Sequence, residues 1–265
     1  MIEAVDLLGI AAHPDDIELG CAGTMLLAKR DGKRTAIVDL TRGELSTRGT
    51  LETRQRETDE ATRILGLDYR ANLGMPDGNI ELSQENTLRL GVELRRLRPT
   101  VVLANSRDER HPDHEAAAEL VHRASFYSGL AKIETRDESG VSQQPHRPLL
   151  TLHYMQSFAF EPSIIIDVTP VFEDRMRAVF AYASQFARPL DVAGNGGMAG
   201  KEAPVSGSDK PEPETFLSQR GFFDWLRARA SSYGMMIGVE YGEPLWSRQP
   251  IGTKDLFSLV TKKIA

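Results

Sequence analysis

An α/β fold, with a Rossmann-like, doubly wound, mostly parallel sheet and helices on both faces, is the architecture that the 265-residue sequence predicts. Three observations lead there. Short, mostly apolar runs alternate with stretches in which apolar residues recur at helical spacing, the pattern of βαβ units. The first two helical stretches are closed by Asp31-Gly32 and by Gly66, which is stop chemistry for helices. The runs at Val5 to Ala12 and Thr100 to Ala104 each lead into a polar loop, as central parallel strands do beside a site.

Taken in order, Val5 to Ala12 reads as the first strand, Leu19 to Arg30 as the first helix and Thr35 to Leu40 as the second strand. Thr50 to Leu65 has the pattern of a charged amphipathic helix, and Tyr69 to Leu73 that of a short third strand. Leu88 to Leu97 is helical in pattern, Thr100 to Ala104 is the fourth strand, and a helix runs through Glu115 to Leu120. In the second half, Leu149 to Tyr154 and Ser163 to Val168 read as strands, followed by a helix from Pro170 to about Phe186. Residues 188–213 are rich in Gly, Pro, Ser and Ala, which predicts a flexible surface loop or lid. Thr215 to Tyr233 resumes helical patterning, and Leu256 to Val260 is strand-like. No internal repeat is found, and residues 1–265 read as a single domain. Right-handed crossovers and the common strand order 3-2-1-4 would make the first and fourth strands neighbours at the switch point, where ligands bind.

Composition narrows the function. A net charge of −6 and a pI near 5.6 argue against nucleic acid as a partner, because phosphate binding relies on clustered Lys and Arg. The single cysteine, Cys21, excludes an internal disulfide and fits a reducing compartment. No apolar run reaches the roughly 18 to 20 residues that span a bilayer, and acids stand near the N-terminus where a signal peptide carries basic residues. The expectation is a cytoplasmic protein with no membrane partner.

Two runs carry the chemistry. Ala12-His13-Pro14-Asp15-Asp16 follows the first strand and Arg110-His111-Pro112-Asp113-His114 follows the fourth, so both should emerge at one edge of the sheet. His13 and Asp16 are three apart, so one turn brings both side chains to one side, and His114 can supply a third ligand from the neighbouring loop. Three protein ligands with a position left open make a catalytic metal site, which Zn²⁺ or Fe²⁺ would fit. Asp15 would then lie near the ion without binding it and could take a proton from water. The competing reading is that Asp15 and Asp16 only cap the following helix. His111 could face a substrate carbonyl, with Asp113 orienting it and favouring its protonated form; alternatively, Pro112-Asp113 simply starts a helix. Arg54 and Arg110 could each grip an anionic group through a guanidinium fork, though Arg54 could equally lie on a solvated face. His122, His146 and His153 sit in no cluster and read as structural, and Trp225, Trp246 and the Phe222-Phe223 pair read as packing.

These residues resemble the LmbE/PIG-L family of zinc-dependent sugar N-deacetylases, through the AHPDD and HPDH motifs that each follow a strand. Val38 to Thr41, Glu44 to Ser46, Gly49-Thr50, Asn72 to Asp77, Arg110 to His114 and Pro145 to Pro148 look like the bacillithiol-biosynthesis branch, which removes acetate from N-acetylglucosaminyl malate. The resemblance implies zinc held by His13, Asp16 and His114, Asp15 as general base, and His111 stabilising the oxyanion or acting as acid. It also implies that Arg54 and Arg110 contact substrate, plausibly the malate carboxylates, and that the chain forms a homo-oligomer. A chitooligosaccharide or another GlcNAc conjugate is the alternative substrate. Two further functions compete. Two histidines and one aspartate also form the facial triad of non-haem iron oxygenases, and a non-catalytic sugar-binding protein could keep the same pocket. A dinucleotide-binding module is disfavoured, because His-Pro-Asp-Asp stands where phosphate would need glycines.

Overall fold

The computed structural model describes residues 4–186, 213–219, 221–255 and 257. Its elements run β1 (Leu7–Ala11), α1 (Asp16–Arg30), β2 (Thr35–Thr41), α2 (Leu51–Leu65), β3 (Tyr69–Met75), α3 (Gln84–Leu97), β4 (Val101–Ala104) and α4 (Pro112–Ser128). After these come β5 (Leu150–Tyr154), β6 (Ile164–Asp167), α5 (Phe172–Val179), α6 (Gly221–Met236) and β7 (Gly242–Trp246). The helix boundaries follow local chemistry. Thr50 caps α2 by accepting the Thr53 N–H at 3.2 Å, and Gly66 ends it at φ 62°. Ser83 caps α3 in the same way, through the Asn86 N–H.

The strands form one seven-stranded sheet in the order β3-β2-β1-β4-β5-β7-β6. The stretch β3-β2-β1-β4 is the 3-2-1-4 order expected from the sequence, and the pairs from β3 to β5 are parallel. Side chains alternate across β1. Leu8 and Ile10 enter a core with α3 and α4 (Leu90, Leu94, Leu120), while Leu7 and Ala11 enter a second core with Ile17 and Met25 of α1. A third apolar cluster joins α5 and α6 through Phe172, Phe186, Phe222 and Leu226.

Two points differ from expectation, and two further expectations are untested. The helix expected from Pro170 to Phe186 spans only Phe172–Val179, because the following backbone is taken up elsewhere: the Ser184 N–H donates to Glu57 of α2 at 2.6 Å. Strand β7, antiparallel to both β5 and β6, was not expected. The 188–213 loop, apart from Pro213, and the Leu256 to Val260 strand, apart from Phe257, lie outside the described residues.

Helix α1 is broken at Cys21, whose φ of −154° and ψ of 25° are not helical. Glycines flank the break for steric reasons. A Cβ on Gly20 would lie 2.4 Å from the Tyr154 ring, and one on Gly23 would lie 2.7 Å from Val168. Tyr154 is fully buried and donates its hydroxyl to the Ile10 carbonyl, so it cannot step aside freely. Gly20→Ala is therefore expected to destabilise the fold by about 1–3 kcal/mol, read as a lower urea midpoint; an unchanged midpoint would show that the ring has room.

Candidate active site

The carboxyl ends of β1 and β4 lie side by side, with Gly9 opposite Leu103, and Asn105 ties the two loops together. Its carbonyl oxygen accepts the Ala12 N–H at 3.0 Å, and its amide donates to Asp16 at 3.0 Å and to Gln156 at 2.9 Å. Asp16 opens α1, and each of its oxygens faces a different imidazole. Oδ2 accepts the His13 backbone N–H at 3.0 Å and lies 3.7 Å from His13 Nδ1. Oδ1 accepts from Gln156 at 2.7 Å and lies 3.2 Å from His114 Nε2. Burial alone would raise the Asp16 pKa, but His114 and His13 beside it hold the carboxylate well below its usual range.

The far side of each imidazole is also engaged. His13 Nε2 lies 3.1 Å from Asp77 and 3.3 Å from Asp113, and these carboxylates with Asp16 raise its pKa well above normal against the opposing effect of burial. His114 Nδ1 is buried 4.0 Å from Glu109. Burial would lower the His114 pKa, but Asp16 and Glu109 push it up to about 9. Glu109 is itself fixed by the N–H groups of Arg110, Gln156 and Ser157.

Asp113 plays only part of the role expected of it. Its carboxylate accepts the Gly78 N–H at 2.7 Å and the Ile80 N–H at 3.3 Å and faces His13. Its hydrogen bond to His111 is made by the backbone, whose N–H donates to Nδ1 at 3.2 Å. That bond disfavours a proton on Nδ1, and burial together with the nearby His13 and His114 lowers the His111 pKa. Both effects favour the neutral imidazole with its proton on Nε2, although the Asp113 charge pulls toward the protonated form as expected and is outweighed. It also caps α4, with Pro112 in the first turn.

Asp15 precedes α1 with φ 115° and makes no side-chain cap bond, so it does not serve as a helix cap. A non-glycine residue held there is strained. Its carboxylate is buried and accepts from Arg54 at 3.1 Å, while the other arm of that guanidinium holds the Pro14 carbonyl at 2.9 Å. Burial raises the Asp15 pKa to about 7, with Arg54 opposing. The solvated-face reading of Arg54 therefore fails, since it is 5% exposed. Arg110 is exposed.

His13, Asp15, Asp16, Asp77, His111 and His114 line a cavity of about 790 Å³ that both Arg54 and Arg110 reach. Its far wall carries Phe216, Phe222 and Trp225, and Phe222 stacks on Trp225 with centroids 5.5 Å apart. The expectation that Phe222 and Trp225 only pack is thus incomplete. His146 and His153 do serve structure, through the carbonyls of Pro99 and Asn105. Among the described residues two overlapping groups have ligand atoms within 4.8 Å of one another, His13 with His111 and His114, and His13 with Asp77 and Asp113; the expected set of His13, Asp16 and His114 is not one of them, Asp16 meeting the two imidazoles pairwise at 3.7 and 3.2 Å. Asp77, Asn105, Glu109 and Gln156 were not singled out from the sequence. Three of them carry one usable signal: a polar residue just beyond the carboxyl end of β4 or β5.

Among the described residues no helix is long and apolar enough to cross a membrane. The profile of the PIG-L family, described as GlcNAc-PI de-N-acetylase, matches residues 8–125. The conserved protein TT1542 from Thermus thermophilus superposes with a TM-score of 0.77 at 36% identity, over 95% of this chain and 98% of that one. The diacetylchitobiose deacetylase of Thermococcus kodakarensis is 28% identical over 196 residues, 70% of this chain and 71% of its own length. The "Probable N-acetyl-alpha-D-glucosaminyl L-malate deacetylase 2" of Bacillus anthracis is 28% identical over 201 residues, 68% of this chain and 81% of its own.

Proposed function

The chain belongs to the PIG-L family of deacetylases, and from that premise we propose that it hydrolyses the N-acetyl amide of an N-acetylglucosamine conjugate, preferring N-acetylglucosaminyl malate in bacillithiol biosynthesis. The observation that carries the reading is Asp16 shared between His13 and His114 while Asp15, buried beside them, is free of any capping role. On this reading the chain works in the cytoplasm as a homo-oligomer on a small molecule, in keeping with its lone cysteine, its acidic charge and the family resemblance.

The donor set fits a divalent transition ion, with His13, Asp16 and His114 as ligands and zinc, or ferrous iron, as occupant. The buried Nδ1 of His114 beside Glu109 supports this fit, because a carboxylate on one imidazole nitrogen turns the other toward an ion. Asp113 and Asp77 do the same for His13, which leaves Nδ1 on the Asp16 side. When bound, such an ion supplies Lewis acidity, polarising the amide carbonyl and lowering the pKa of water toward ~7.

The chain's own groups perform the proton chemistry. Asp15, with a pKa raised to about 7, takes the proton of the attacking water and can return it to the departing amine. Arg54 holds that carboxylate at a fixed place and anchors the strained Pro14-Asp15 backbone. His111 donates its Nε2–H to the developing oxyanion, a contribution of roughly 3 to 4 kcal/mol for a well-placed donor. Arg110 is exposed and lines the cavity, which supports it as the partner of a malate carboxylate.

The aromatic wall favours a second reading, a chitooligosaccharide whose next sugar ring lies against Phe216 or Trp225. Acetate release decides between them. Metal-stripped protein, restored with zinc or ferrous iron, is expected to give a higher kcat/KM on N-acetylglucosaminyl malate than on N-acetylglucosamine or chitooligosaccharides. A preference for the oligosaccharides would move the assignment to the second reading, and no acetate from any of them would end both. Activity without oxygen separates either from an oxygenase.

A further inference from the structure

The break in α1 leaves backbone groups that a continuous helix would pair internally, and charged side chains from the distant end of the chain take them up. On its N-terminal side the Leu19 carbonyl accepts from Arg175 at 2.8 Å and from Arg229 at 2.9 Å. On the other side the N–H groups of Gly23 and Thr24 donate to Glu243 at 2.8 and 2.7 Å. Arg175 and Glu243, each 2% exposed, close the set as an ion pair at 2.8 Å. The short segment from Asp16 to Gly20 is thereby a separate piece of helix, aimed by groups on α5, α6 and β7.

Arg229 of α6 differs from the other two groups in what else it touches. Its second arm donates to the Gln156 carbonyl, and the Gln156 side chain is the 2.7 Å donor to Asp16 Oδ1. One planar fork thus spans the two backbone segments that set Asp16: the helix piece that bears it and the loop that bonds its carboxylate. Trp225, one turn earlier on α6, lies against the guanidinium at 4.6 Å and holds it in place. Burial and the nearby Arg175 work against the Arg229 charge, and the carboxylates of Glu243 and Glu109 offset part of that cost.

We propose that Arg229 is a positioning residue for the metal ligand Asp16, clamping the Leu19 and Gln156 carbonyls so that both oxygens of Asp16 stay aimed at His114 and His13. The proposal rests on the ligand set given above. Lysine in its place keeps the charge but not the fork, because an ammonium is a compact point charge on a flexible stem.

The test is titration of cobalt(II), as a visible stand-in for zinc, into metal-stripped wild type, Arg229→Lys and Arg229→Gln, followed by kinetics at saturating metal. Both variants are expected to bind cobalt roughly 10- to 100-fold more weakly, with an altered visible spectrum, a lower kcat and a KM within about twofold of wild type. Raised KM with unchanged cobalt affinity would make Arg229 a substrate contact, and a lowered thermal midpoint with unchanged affinity would make it scaffold; either overturns the proposal. Full rescue by Arg229→Lys overturns it too, since the fork would not be needed, as does failure of both variants to fold. A wild type that binds no cobalt would instead strike the metal-site reading itself, whereas binding by wild type and variants alike strikes only this inference.

Discussion

Asp15→Asn is expected to lower kcat by roughly 10²–10⁴ while metal content stays at the wild-type level. The asparagine is the informative choice. Its carbonyl can still accept from Arg54, so the buried guanidinium keeps a partner, and its side chain suits the positive φ that an alanine would bear poorly. What it cannot do is hold a proton between attack and departure. Metal analysis beside acetate-release kinetics decides the matter. Equal loss of metal and turnover would make Asp15 a ligand, and retained turnover would leave the proton step without its base.

His13→Ala is expected to weaken zinc binding by more than about a hundredfold, beyond the loss that an outer partner causes, and to bring turnover to background unless metal is in large excess. The imidazole is the one group at which Asp16 on one side meets Asp77 and Asp113 on the other. Its removal therefore takes away a ligand and leaves carboxylates facing one another across a buried gap, where like charges repel. Metal content after dialysis reads the first effect directly. Zinc retained at the wild-type level would move the site to a set without His13.

The convergence of the two histidine motifs was legible in the sequence because alternation points to a doubly wound sheet, and its common 3-2-1-4 order, which the structure has, brings the carboxyl ends of β1 and β4 to one edge. The same logic did not reach β7. Gly242-Glu243-Pro244 lacks the β-branched pattern of a strand, and a proline argues against a central one. It is tolerated because β5 pairs only with Leu245 and Trp246, while Pro244 lies opposite Ile165 of β6. Around the site, a motif exposes ligands but not their supports. Asn105, Glu109 and Gln156 are isolated polar letters whose bonds to Asp16 and His114 exist only after β4 and β5 pair. The contact between the Asp113 carboxylate and His13 was missed for a related reason. Its proximity to His111 in sequence says nothing about the Gly78 and Ile80 N–H groups that turn its carboxylate toward His13.

Strand β7 enters the sheet between β5 and β6, and its Glu243 caps the broken first helix. The bonds that seat the broken helix thus join residues 220 and 219 positions apart. The Asp16 end of the site is therefore held from a strand far from it in sequence, so a change in β7 is felt at the pocket.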